Sequence, residues 1–316
     1  MCFRSASGRP FVSPCPGRRA VVGRKEESRN RLPFCALLLV VPLLASSPGF
    51  AAEILVDDLC TLADAIRAAN DDVPVGECSA GGGADVLRLT GDVLLTEAVE
   101  LESGTPLVTS VLTIEGEGFQ IARSSEPGTP EFRLLTVAAA GSLTLHDVTL
   151  TGGSAYLGGG VHSDGTLVLR RSAVSGNEAS FGGGGIASRS GTLTIADSVI
   201  SSNVVQLEGG GIYNRGTAII TGTVLSNNHT VYVYAGLGGG AIFNSGALEI
   251  ERSAIVGNSG ASGGGIHNFY RSTLVLTNVT ISGNEDFGYN VGSAGGGGFI
   301  NNGTAWLTHV SVVGNK

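Results

Sequence analysis

From Gly141 onward, apolar and polar positions return in the same order every 24 to 31 residues. The units open at Gly141, Gly165, Gly191, Gly216, Gly246, Ser272 and Gly303. A repeat of that length marks a solenoid, in which each unit buries its apolar face only by stacking on its neighbours. The third and fifth residues of the units are apolar, from Leu143 and Leu145 through Leu193 and Ile195 to Ala305 and Leu307. Alternation at period two is strand chemistry. The tenth residue is apolar in every unit (Leu150, Val174, Ile200, Leu225, Ile255, Ile281, Val312), and another apolar column, Val161, Ile186, Ile212, Ile242, Ile266 and Phe299, follows a run of glycines. Three short inward-facing strands per coil are therefore predicted. No stretch between them has helical periodicity, which excludes leucine-rich, ankyrin and tetratricopeptide units. The prediction is an all-β protein, a parallel β-helix.

Two polar columns mark the bends. Asn177, Asn203, Asn228, Asn258, Asn284 and Asn315 fall between the second and third strands, and Ser163, Ser188, Asn214, Asn244, Asn268 and Asn301 close the third. Asparagine tolerates left-handed backbone angles, and its amide can bond to the coils above and below, so both columns read as corner ladders. The glycine runs, such as 209–211 and 238–240, suit a tightly bent backbone without room for a Cβ. They do not read as phosphate cradles, since no Lys-Ser/Thr and no helix follows any of them.

The front of the chain changes the picture of where the protein works. An apolar run over 33–44 follows Arg29 and Arg31 and precedes Gly49-Phe50-Ala51, a small-x-small cleavage signal. Residues 1–51 are read as a secretory signal peptide, 52–90 as an N-terminal cap, and 91–316 as the β-helix, with seven aligned units and the last incomplete. The apolar run is too short for a membrane span, and the mature chain contains no segment of about 18 apolar residues. Residues 1–51 carry eight Lys/Arg and two Asp/Glu, so removing them from totals of 19 and 27 leaves 11 basic and 25 acidic residues, a net charge of −14. That balance disfavours nucleic acid as a partner. Cys60 and Cys78 survive processing and read as one disulfide in an oxidising compartment, in preference to a metal site lacking nearby His.

Around those cysteines, Thr61 and Asp64 form a capping box, and Leu62, Ala65, Ile66 and Ala69 line one face of a short helix. Its simplest job is to cover the end of the first coil. The segment Cys60-Thr61-Leu62-Ala63-Asp64-Ala65-Ile66, with Ala69-Asn70, Cys78 and the strand 85-DVLRL-89, resembles secreted bacterial proteins with an N-terminal Cys-Ser-Leu-Arg-Glu-Ala motif. Thr61, Ala63 and Asp64 depart from that motif's Ser, Arg and Glu. The glycine-rich units, best seen in 239-GGAIFN-244, are similar to passengers of polymorphic outer membrane proteins, although Phe243 directly precedes Asn244 where that family separates the two. The resemblance covers about residues 54–316. It implies a right-handed β-helix at or beyond the cell surface with adhesion or binding roles, and it implies no activity. Less regular coils are expected around 86–95, 111–122 and 134–141.

Many β-helices act on polysaccharides, and that chemistry needs carboxylates clustered on adjacent coils. The seventh column reads Asp147, Arg171, Asp197, Gly222, Arg252, Asn278, His309, with acids alternating with bases as in a solvated charge ladder. Glu249, Glu251 and Arg252 cluster, but neighbouring units add no second carboxylate. His162 and His267 share a column yet lie four units apart, roughly 19 Å, too far to share a ligand. No serine sits in a nucleophile elbow. The sequence nominates no catalytic residue, metal ligand or cofactor.

Two units differ from the rest. The fourth inserts 229-HTVYVYAGL-237 and the sixth 285-EDFGYNVGSA-294 after the corner asparagine, where the others insert four or five residues. Tyr232 and Tyr234 in one and Phe287 and Tyr289 in the other leave the same corner two coils apart, and could flank a groove over the fifth unit. The competing reading is that these rings pack on one another. The function expected from these features is a secreted or cell-surface binding module, adhesin-like, for an extracellular polysaccharide or a cell-surface component. A β-helix lyase or glycoside hydrolase is the alternative, and a structural spacer the third reading.

Overall fold

The computed structural model describes residues 51–232, 238–288 and 296–316. Residues 1–50 of the expected signal peptide, and Tyr234 and Tyr289, lie outside the described residues.

The chain forms an all-β parallel solenoid with one short helix. The alternating segment of every unit adds a strand to a ten-stranded first sheet, running from Glu53–Val56 and Ala84–Leu89 through Thr166–Arg170 to Thr304–Thr308. The tenth-residue column lies in a nine-stranded second sheet, and the strands after the glycines form a seven-stranded third sheet. Registers follow the sequence columns: Leu167 pairs with Leu143 and Leu193, Val174 with Leu150 and Ile200, and Ile212 with Ile186 and Ile242. These side chains are completely buried and form one continuous core. In the last coil they are covered on one side, and Leu307 is half exposed.

The six units that open at Gly141 to Ser272 each have four strands where three were expected. A short six-stranded sheet, from Ser154–Leu157 and Glu178–Gly182 to Glu285–Asp286, lies between the second and third sheets. Most of its strands span two residues, too few for a period-two signal to show in the sequence.

The corner ladder forms as expected, with one correction. Asn228 Nδ2 donates to Asn258 Oδ1 at 2.9 Å and to Ile200 O at 2.9 Å, and Asn228 Oδ1 accepts from Asn203 N and Nδ2 at 3.1 and 3.0 Å. The same pattern runs from Asn177 to Asn315. The left-handed residue, however, is the one before each ladder asparagine: Gly176, Ser202, Asn227, Gly257, Gly283 and Gly314 have φ between 55° and 65°. The second column stacks as well, Asn214 donating to Asn244, Asn244 to Asn268 and Asn268 to Asn301 at 2.6–2.7 Å. The glycine bends fill as the sequence implies: a Cβ on Gly240 would stand 2.2 Å from Gly264 O.

A third ladder is built from hydroxyl groups. At the corner between the first two sheets, Ser172, Ser198, Thr223 and Ser253 are buried, and each hydroxyl accepts from the backbone N–H of the corresponding residue one coil earlier, at 3.1–3.4 Å. The seventh-column residues just before them adopt positive φ, from 47° at Arg171 to 59° at Gly222.

The helix Leu62–Asp71 sits between the first two strands of the first sheet, so coil structure already begins at Glu53. Thr61 caps it, accepting from Asp64 N at 3.2 Å, and Leu62, Ala65, Ile66 and Ala69 are buried in the solenoid core. Asn70 ties it down: its Oδ1 accepts from Thr109 N and Ser110 N, and its Nδ2 donates to Leu107 O at 2.8 Å. Cys60 and Cys78 form the expected disulfide. The oxidised protein should show no free thiol among residues 52–316, and Cys60→Ser should lower stability by on the order of 3 kcal/mol. Two reactive thiols in native material would contradict this.

Candidate functional site

In a three-residue strand such as Ile242–Asn244, the first residue enters the core and the third enters the corner ladder, so the middle one must face outward. Register places His162, Ala187, Tyr213, Phe243, His267 and Ile300 in that outward column of the third sheet. Rings from the short sheet and from the far corner join it. Tyr156 stacks on Phe181 at 5.4 Å between centroids, Phe181 meets Tyr213 edge-on at 6.1 Å, and Tyr213 stacks on Phe243 at 5.7 Å. Phe243 then contacts His267 at 5.2 Å and Phe269 at 5.6 Å. The result is an aromatic row running along the solenoid axis across five units. Its centre is buried, with Tyr213 and Phe243 5% and 3% exposed, and it surfaces at Tyr156 (53%) and Phe269 (38%).

Charged groups border the row. Backbone bonds from Arg189, Arg215, Ser245 and Phe269 to the preceding coil place Asp164, Arg189, Arg215, Ser245 and Phe269 in one column beside it, with both arginines exposed. Glu208 lies on the other side, 7% exposed, and burial lifts its carboxyl to about 7 against the opposing pull of Arg215. Burial, then the Glu208 charge, raises the Tyr213 phenol. His267 is pushed down to about 4 by burial, and His162, 3.3 Å from Asp164, is also lowered by burial.

These shifts have opposite consequences for stability. The folded state keeps the Glu208 proton up to about pH 7 whereas the unfolded chain releases it near 4.5, so this contribution is complete below 4.5 and lost as pH rises through 7. The His267 contribution is complete above 6.5 and lost as pH falls through 4. Glu208→Gln should therefore steepen the rise of stability between pH 5 and 7, changing the wild-type-minus-variant difference by on the order of 2 kcal/mol. A difference independent of pH would show that Glu208 is not held protonated.

Of the rings nominated from sequence, Tyr232 is 46% exposed, and its N–H donates to Gln206 O at 2.9 Å. It extends the same strand edge that carries Tyr156 and Phe181. Phe287 reaches across the fifth unit: its N–H donates to Gly260 O at 3.1 Å and its ring lies 5.5 Å from that of His229. Phe287 thus spans the small residues Ser259 and Gly260. Tyr234 and Tyr289 are outside the described residues. The row itself was legible in part, since 212-IYN-214, 242-IFN-244 and 266-IHN-268 show an aromatic or imidazole ring between the apolar and Asn columns.

At the first corner, Arg171 donates to both carboxylate oxygens of Asp147, at 2.9 and 2.6 Å, and holds that carboxyl below its ordinary value. Arg252 pairs with Glu251. A shallow groove of about 480 Å³ passes Asp147, Arg171 and Asp197, and a larger one of about 650 Å³ lies by the cap, lined by Asp57, Asp58, Thr61 and Glu97. The Asp57 carboxyl in the latter is lowered by the backbone N–H groups of Cys60 and Leu59, which makes it a turn-closing group. Among the described residues no group of three His, Cys, Asp or Glu side chains is placed to hold a metal ion, and no helix is long and apolar enough to cross a membrane.

No protein-family model, no curated protein and no solved structure matches this chain.

Proposed function

We propose that this protein is an exported, cell-surface or extracellular binding module that holds an extended glycan along the aromatic row, on the rings exposed toward its two ends. The observation that carries the reading is the row itself: Tyr156, Phe181, Tyr213, Phe243 and Phe269 in unbroken ring contact, with the buried rings fixing the exposed ones. Rigid aromatic surface is what sugar faces stack on, at small entropic cost. Exposed Tyr232 adds to the same edge, and Arg189 and Arg215, on adjacent coils, favour a polymer bearing carboxylates. Export is supported by the apolar leader over 33–44 and by the disulfide, which persists in oxidising compartments.

The test is retention and product release on a panel of neutral and acidic polysaccharides. Tyr156→Ala combined with Phe269→Ala should weaken binding at least about tenfold, at roughly 1 kcal/mol per ring, with little change in melting temperature because both rings are exposed at the ends of the row. Binding unaffected by the double substitution would reject the site.

A lyase or hydrolase is the second reading, favoured by Glu208, whose pKa of about 7 suits a general acid. The groups that shift Glu208 are its burial and Arg215, with no carboxylate among them, so the coupled acid pair of a glycosidase lacks support. Release of shortened or unsaturated products would favour this reading.

A further inference from the structure

Asp85 is the second residue of the strand Ala84–Leu89 in the first sheet and is 1% exposed. Its Oδ1 accepts from Ala52 N at 2.9 Å and Gly82 N at 2.8 Å, while its Oδ2 is buried without a partner. Among the described residues it forms no ion pair. The space around Oδ2 is closed by a glycine: a Cβ on Gly81 would lie 2.6 Å from that oxygen and 2.7 Å from Ala68 O. A buried carboxylate held by two neutral N–H groups lacks the compensation such charges require.

We propose that cleavage of the Ala51–Ala52 bond is a maturation step completed by this pocket, the new Ala52 ammonium neutralising the buried Asp85 carboxylate. The proposal rests on the export reading, because Gly49-Phe50-Ala51 is the sequence that would direct the cut. Ala51 is exposed, whereas the next residue already has both backbone groups engaged: Ala52 N donates to Asp85, and Ala52 O accepts from Val86 N at 2.9 Å. The bond therefore lies just ahead of the first coil at an exposed residue, open to an endopeptidase of the export pathway. Water adds across it, leaving a carboxylate on Ala51 and, with the proton taken up, an ammonium on Ala52. One neutral donor becomes a cation with three. In the precursor the carboxylate stays uncompensated and the first coil is weakly held; in the mature chain the terminus is fastened to the sheet beside the helix.

The full chain should be expressed with its leader and the exported product analysed by N-terminal mass spectrometry. The expected first residue is Ala52. The melting temperature of that product is then compared with versions carrying Gly-Ser ahead of Ala52 or an acetylated Ala52, each with and without Asp85→Asn. Extension or acetylation should lower the melting temperature by at least about 3 °C in the wild type and have little effect in D85N. Equal melting temperatures for free and acetylated wild-type termini would overturn the proposal, and need no folded D85N protein. A chain retained uncut would overturn the export reading together with the maturation step. A chain exported but cut beyond Ala52 would leave export standing and reject the docking alone.

Discussion

Replacing Ile250 by Asp is expected to unfold the coils around it. Ile250 is completely buried and pairs in register with Ile220 on one side and Leu276 on the other. The substitution puts a carboxylate into a stacked apolar column where no cation can reach it, at a cost of several kcal/mol, comparable with the whole stability of many domains. Each unit of a solenoid is held by its neighbours, so the loss should spread to the coils of Ile220 and Leu276. Circular dichroism should show reduced β signal and the melting transition should fall or disappear. A soluble variant with the wild-type melting temperature would mean that the fifth column does not face inward.

The corner ladder gives the second large effect. Asn228→Leu keeps the size of the side chain but leaves Asn203 N and Nδ2, Ile200 O and Asn258 Oδ1 each short of a partner in a fully buried corner. Stranding several buried polar groups should cost on the order of 4 kcal/mol. The neighbouring Asn227 supplies the contrast. It is exposed and at φ 55°, so Asn227→Ala should cost only about 1 kcal/mol, as strain at a left-handed position. Denaturant titration of the two variants measures the difference, and equal losses would contradict the assignment of the ladder to Asn228.

That contrast shows where sequence reading succeeds and where it stops. Columns of one chemical type repeated over six or seven units, such as Leu143 to Leu274 or Asn177 to Asn315, specify both the fold and its register, because stacking places like on like. Asn227-Asn228 cannot be divided by residue type, yet alignment of the columns selects the second. The short sheet escaped because two extended residues carry no periodicity, and the hydroxyl ladder because Ser172 to Ser253 sit among valines, Val148 and Val279, in a mixed column. The aromatic row escaped for a different reason. Its rings come from three places in the repeat, Tyr156 and Phe181 from the short sheet, Tyr213 and Phe243 from the third sheet and Phe269 from the turn beyond it, and only the folded coil brings them together. The long insertions of the fourth and sixth units mark Tyr232 and Phe287 in the sequence, whereas Tyr156, Phe181, Tyr213 and Phe269 of the row lie in units of ordinary length.

A binding surface on this row should select its ligand by length. Tyr156 and Phe269 stand four coil spacings apart, about 19 Å along the axis at about 4.8 Å per coil. Calorimetric titration of the mature protein with a size series of oligosaccharides, cut from whichever polymer the panel retains, tests it directly. Affinity should rise sharply once the oligomer is long enough to reach both exposed ends, about 19 Å, and then level off, and that rise should be lost in a Phe269→Ala variant. Affinity that is the same for the shortest and longest oligomers would place the binding site elsewhere on the solenoid.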